Sequence, residues 1–286
     1  MKNYLSLVKF SHTIFAMPFA LIGFFLGTMK VNNGNINIDW LLFIKVIACM
    51  VFARTAAMAF NRYVDRDIDS KNPRTAMREI PAGVISPNNA LFFIIINCVL
   101  FVATTYFINT LCFFLSPIAL LVVLGYSYTK RFTALCHFVL GIGLGLAPIG
   151  AYIAVTGEFA VLPIIYSFIV FFWVSGFDII YALQDEEFDR SLGLNSIPTL
   201  LGTKRALMLS NIVHAITAAL VVYSIWEGEF GIYYIIGAVL FVGLLAYQHF
   251  LVKPYDLSKV NLAFFTTNGI ASTVFCVFVL LDLFLR

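Results

Sequence analysis

Nine stretches of this 286-residue chain stay apolar for about the length of a bilayer crossing. A helix rises 1.5 Å per residue, so about 20 apolar residues cover ~30 Å of hydrocarbon. The stretches run over 12–29, 40–60, 88–108, 111–128, 133–155, 161–183, 205–226, 231–251 and 262–284. They predict an all-α fold: a polytopic membrane bundle of nine transmembrane helices, with one domain spanning 1–286. The chain is 61% hydrophobic and 12% charged, where a soluble domain is about half apolar and about a quarter charged.

Other residue types narrow the reading. The five cysteines (Cys49, Cys98, Cys112, Cys136, Cys276) fall in apolar runs without a CxxC pair, which argues against a disulfide or zinc framework. His12, His137, His214 and His249 are scattered, so a histidine metal site is not expected. A polar decapeptide precedes the first apolar run and further spans follow it, so no cleavable signal peptide is expected. Pro18, Pro117, Pro148 and Pro163, with Gly141, Gly143 and Gly145, suit membrane helices that kink or pack closely. The Gly141–Gly145 pair reads as helix packing, not as a site.

Lys and Arg set the orientation. With nine spans, the N-terminus and the even-numbered loops share one side. That side carries fourteen cations: Lys2, Lys9, Arg62, Arg66, Lys71, Arg74, Arg78, Lys130, Arg131, Arg190, Lys204, Arg205, Lys253 and Lys259. The other side carries Lys30 and Arg286, while Lys45 and Arg54 lie inside span two. The basic side is expected to be cytoplasmic, in a cell inner membrane. Lys45 is expected to snorkel to the outer surface without a further role.

Two short stretches at ends of apolar runs face that basic side. One is Asn61-Arg-Tyr-Val-Asp65-Arg-Asp-Ile-Asp69; the other is Asp185-Glu-Glu-Phe-Asp189. Each sets two carboxylates four residues apart, which a helix would stack on one face. Asn61 extends the first stripe by a turn, and Asp178 extends the second two turns deeper. Arg62, Arg66 and Arg190 lie close enough in sequence to neutralise these acids, and such pairs can be ordinary surface features. Two copies on one face, each ending a span, favour function. Mg²⁺ takes a few carboxylates plus water and substrate phosphate, so two clusters would suit two Mg²⁺ ions bridged by a diphosphate. Ile80-Pro81 and Ile197-Pro198 follow the two stretches and hint at an internal duplication.

Asp178 lies inside a span, where an ionisable group is costly by roughly 3 kcal/mol or more and is usually functional. Arg54 is its expected counterpart, either at a site or in a structural ion pair.

The run Asn61-xxx-Asp65-xxx-Asp69, followed by Asn72-Pro73-Arg74-Thr75-xx-Arg78-x-Ile80-Pro81-x-Gly83, resembles the first signature of the UbiA superfamily of intramembrane aromatic prenyltransferases. Asp178-xx-Tyr181-Ala182-xx-Asp185-xxx-Asp189-xxx-Gly193 resembles the second. Tyr126-Ser127-Tyr128-Thr129-Lys130-Arg131 resembles the family's tyrosine-rich basic loop, and His12-Thr13-xx-Ala16-x-Pro18-Phe19 its opening helix. The pattern is similar to the bacterial 4-hydroxybenzoate polyprenyltransferases in particular. Asn195 departs from it, since several relatives carry a Lys before Ser196.

The resemblance implies a polyprenyl diphosphate donor, a small aromatic acid as acceptor, Mg²⁺ as cofactor, and a bilayer as the medium. No nucleic acid partner is implied. Asn61, Asp65, Asp69, Asp185 and Asp189 would hold Mg²⁺. Arg66, Arg74, Arg78 and Lys130 would bind diphosphate oxygens. Tyr63, Tyr126, Tyr128 and Tyr181 are candidates to face the allylic cation, an interaction of about 0.5–2 kcal/mol. Asp185 leads as the residue that positions or deprotonates the acceptor, with Asp178 second. Arg131 or Arg54 would take its carboxylate. 4-Hydroxybenzoate fits best, with a naphthoate on a menaquinone route as the alternative. A CDP-alcohol phosphotransferase would need an Asp-Gly-xx-Ala-Arg run, which this chain lacks. An ion-coupled transporter would explain Asp178 and Arg54, but not two Asp-xxx-Asp pairs on one face.

Overall fold

The computed structural model describes residues 2–8 and 17–285. His12, Thr13 and Ala16 of the opening-helix motif, the start of the first span, and Lys9 and Arg286 of the charge count lie outside the described residues. The helices are α1 (Lys2–Leu7), α2 (Met17–Val31), α3 (Trp40–Val64), α4 (Arg66–Asp69), α5 (Pro87–Tyr106), α6 (Thr110–Thr129), α7 (Cys136–Thr156) and α8 (Val161–Ala182). After a 3₁₀ turn at Leu183–Asp185 come α9 (Glu186–Ser191), α10 (Ile197–Leu201), α11 (Thr203–Glu227) and α12 (Ile232–Leu251). A π-helical turn at Leu262–Thr267 leads into α13 (Asn268–Phe284). Eight of these segments, among the described residues, are long and apolar enough to cross a membrane, and α2 is a shorter apolar helix. The fold is all-helical, and each expected span has a counterpart within a few residues over the described part.

The chain forms two compact units. Of the described residues, the first holds 2–8 and 39–128. Here α3 packs along α5, and α1 lies against α3. Its core gathers Leu7, Val8, Ala59, Ile80, Ile85, Ala90 and Ile94. Caps define the helix starts: Asp39 accepts the Leu42 N–H, and Ser86 accepts that of Asn89 ahead of Pro87. Lys45 Nζ donates to the Phe107 carbonyl at 2.8 Å, so this lysine caps a neighbouring helix end.

Of the described residues, the second unit holds 17–38 and 129–285. In it α7 packs between α2 and α8, α11 covers α8, and α13 joins α12 to α2. The Gly141–Gly145 pair makes the α7–α8 approach possible. A Cβ on Gly141 would stand 2.5 Å from both the Phe171 carbonyl oxygen and Ser175 Oγ. Trp173, Phe19, Phe241 and Phe275 form an aromatic centre with ring separations of 4.9–6.3 Å. A buried polar knot crosses it: Trp173 Nε1 and Gln248 Nε2 both donate to Asn268 Oδ1. Asn268 Nδ2 in turn donates to the carbonyls of Ala263 and Phe264, two residues of the π turn. Asp282, on α13, accepts the N–H groups of Gly231 and Tyr234 and so caps α12.

Candidate active site

Neither aspartate pair rides on an unbroken α-helix, contrary to the expectation from spacing. The first stretch breaks at Asp65, which ends α3 and precedes α4 with φ −90° and ψ 2°. The second breaks at Asp185, which ends the 3₁₀ turn and precedes α9 with φ −108° and ψ 5°. Both values fall in the sparsely allowed bridge region, a frequent conformation of site residues. The break re-aims each first carboxylate relative to the helix before it, and the repetition agrees with the duplication hinted at in sequence.

In the first unit Asp65 is 2% exposed and Asp69 4%. Asn61 Nδ2 donates to Asp65 Oδ2 at 3.3 Å, so the expected stripe forms there. Arg78 Nη1 lies across both oxygens of Asp69, at 2.7 and 2.8 Å. The loop between them is self-braced: Asn72 Oδ1 accepts the Arg74 N–H, and Thr75 Oγ1 donates to the Asp69 carbonyl. This explains Asn72-Pro73-Arg74-Thr75 as a turn that returns Arg78 to Asp69. The cations expected to offset the acids are used differently. Arg66 donates to the Tyr63 carbonyl at 2.7 Å and lies 4.7 Å over the Tyr63 ring. Arg62 is buried, with no hydrogen-bond partner for Nη1 among the described residues. Arg74 is exposed, while Arg54 and Tyr126 are partly buried on α3 and α6.

In the second unit Asp185 and Asp189 are half-buried. Glu186, between them, receives Arg190 Nη2 at 2.9 Å and Thr203 Oγ1 at 2.7 Å, which fixes α9 to the start of α11. Arg190 therefore serves Glu186. Gly193 turns the chain with φ +66°, a conformation that disfavours other residues. Asn195 then donates its backbone N–H to the Lys130 carbonyl at 2.7 Å, joining the basic loop of Lys130 and Arg131 to the second stretch. Tyr181 stacks on Phe264, with centroids 4.1 Å apart. Phe264 belongs to the π turn and was not anticipated from sequence.

Asp178 has a partner that sequence did not assign to it. Its Oδ2 lies 2.7 Å from Nδ1 of His137, a residue left unassigned by spacing alone. The signal was available: His137 opens span five, Asp178 lies toward the same end of span six, and ionisable groups at such depth pair with one another.

The family model described as the UbiA prenyltransferase family matches residues 16–270. The chain belongs to this family. A 4-hydroxybenzoate octaprenyltransferase of Aliivibrio fischeri (strain MJ11) is 30% identical over 237 residues, covering 83% of this chain and 82% of that protein. The apo structure of a UbiA homolog from Aeropyrum pernix K1 is 33% identical with TM-score 0.84, covering 95% of this chain and 98% of that one. A UbiA homolog from Archaeoglobus fulgidus, solved bound to GPP and Mg²⁺, is 25% identical with TM-score 0.76 and covers 99% of this chain and 100% of its own. This UbiA family member is a multi-pass membrane enzyme that transfers prenyl groups.

Proposed function

We propose that this UbiA family member transfers a polyprenyl group from a polyprenyl diphosphate to 4-hydroxybenzoate in quinone biosynthesis, with Mg²⁺, releasing diphosphate. The observation that carries the reading is the pair of Asp-xxx-Asp stretches, each breaking a membrane helix at its first aspartate with the same backbone geometry. Relatives named as 4-hydroxybenzoate octaprenyltransferases support the acceptor.

The residues fit a hard cation. Asp65, Asp69, Asp185 and Asp189 offer only oxygen, which suits Mg²⁺ over a soft metal. Asn61 points its amide nitrogen at Asp65, which leaves its Oδ1 as a ligand atom. Among the described residues no three His, Cys, Asp or Glu side chains are set to hold one ion. An incomplete protein shell is what Mg²⁺ uses when water and phosphate complete it. Bound there, the ion would neutralise diphosphate charge as that group leaves.

The chain's own groups then do the following. Arg66, Arg74 and Lys130 bind diphosphate oxygens, and Arg78 shares its guanidinium between Asp69 and the donor. The bond from the allylic carbon to oxygen breaks, and its electron pair leaves with the diphosphate. Tyr126 and Tyr181 face the carbon left electron-poor, which a ring carbon of the acceptor attacks. Asp185 takes the proton from that carbon, Asp178 positions the acceptor, and Arg131 or Arg54 holds the acceptor's carboxylate. The Lys and Arg asymmetry supports an orientation with the acidic stretches facing the cytoplasm, and the bacterial relatives support an inner-membrane location. The purified protein is expected to release pyrophosphate from geranyl diphosphate with 4-hydroxybenzoate and Mg²⁺, and not after chelation. A panel of aromatic acids with one donor tests the acceptor, and a preference for a naphthoate would overturn it.

A further inference from the structure

We propose that His137 is a positioning residue, which aims the Asp178 carboxylate at the acceptor and ties it to the segment that follows the second aspartate pair. The inference rests on the prenyl-acceptor reading above. His137 is 2% exposed, and both of its ring nitrogens are used. Nε2 accepts the Ile197 N–H at 3.2 Å, which puts the ring proton on Nδ1. Nδ1–H therefore donates to Asp178 Oδ2 at 2.7 Å. Asp178 is the acceptor of that bond. The backbone docks on the same face of α8: Ser175, one turn before Asp178, directs its hydroxyl to the His137 carbonyl at 3.4 Å. With Oδ2 occupied, Oδ1 is left for a substrate hydrogen, and the Asp178 side chain keeps 22% of its surface accessible.

The second arm of the ring reaches a different element. Ile197 opens α10, whose Ser196 cap is closed by Thr199. Residues 186–195, which carry Asp189, therefore hang between the end of α8 and an anchor that His137 grips. One side chain fixes both the acceptor carboxylate and the far end of the acidic segment. Asn and Gln separate these duties. An Asn amide N–H can stand near the place of Nδ1–H, and a Gln oxygen near that of Nε2.

The test is steady-state pyrophosphate release by the full-length enzyme with geranyl diphosphate and 4-hydroxybenzoate. His137→Ala is expected to lower kcat/KM for the acceptor by about 10–100-fold, the usual scale for removing an orienting partner. The donor KM should change less than the acceptor kcat/KM, because His137 touches Asp178 directly and Asp189 only through the segment that Ile197 anchors. His137→Asn should recover most of the acceptor kcat/KM and His137→Gln should not. In an Asp178→Asn background, His137→Ala should cost less than about threefold, because the path it acts through is already cut. Equal losses for both substrates, no advantage of Asn over Gln, or full additivity with Asp178→Asn would each overturn the assignment. If His137→Ala does not reach the membrane, the Asn and Gln comparison decides. Wild-type enzyme inactive with every aromatic acid would overturn the acceptor reading and this inference with it. Normal turnover in His137→Ala would sink this inference alone.

Discussion

Asp69 is held by a cation nine residues away, Arg78, to which the family resemblance gave a role on substrate. Arg78 Nη1 bridges its two oxygens, and the Asp69 side chain is 6% exposed. Removing one partner of a buried ion pair leaves the other charge uncompensated, a cost of about 3–5 kcal/mol. Arg78→Ala is therefore expected to lower stability by about that scale, less for the partial exposure of Arg78. The double variant Arg78→Met/Asp69→Asn should recover most of the loss in a thermal melt in detergent, yet remain inactive. Asp65→Ala and Asp189→Ala should behave differently, abolishing turnover while inserting and folding. Substantial activity in either would count against their role on the metal. Sequence singled out the acids readily, because carboxylates at the end of an apolar run are conspicuous. It paired them poorly. Arg66 turned to the Tyr63 carbonyl and Arg190 to Glu186, choices decided by the helix breaks and not by proximity along the chain.

Helices followed the sequence closely because lipid permits few alternatives, and nine apolar runs could hardly be read otherwise. Their interruptions were less legible. The breaks at Asp65 and Asp185 carry neither Pro nor Gly, so no punctuating residue announces them. Packing detail was legible where a small residue had to be small. Gly141→Ala would press a methyl against the Phe171 carbonyl and Ser175 Oγ, and overpacking of this kind costs about 1–3 kcal/mol. A lowered melting temperature in detergent is the expected result, with Gly143→Ala as the comparison. Asp282 had no assigned role in sequence. In the structure it caps α12 through Gly231 and Tyr234, so Asp282→Ala should cost about 1 kcal/mol or more as a lost cap.

For the whole molecule, the charge asymmetry predicts a cytoplasmic N-terminus and, with nine crossings, a C-terminus on the opposite side. A C-terminal alkaline phosphatase fusion should be active in cells and a C-terminal green fluorescent protein fusion dark. The reverse pattern would remove the acidic stretches from the cytoplasm. One local irregularity also has reach across the second unit. The π turn at Leu262–Thr267 holds a residue more than an α-helical turn would. Removing that extra residue would leave an ordinary α-turn, while deleting one from α13 itself would rotate everything beyond it by about 100°. Asp282 would then swing away from the start of α12. The last helix thus has a setting that one codon can lose, and point substitutions along it should be borne far better than any change in its length.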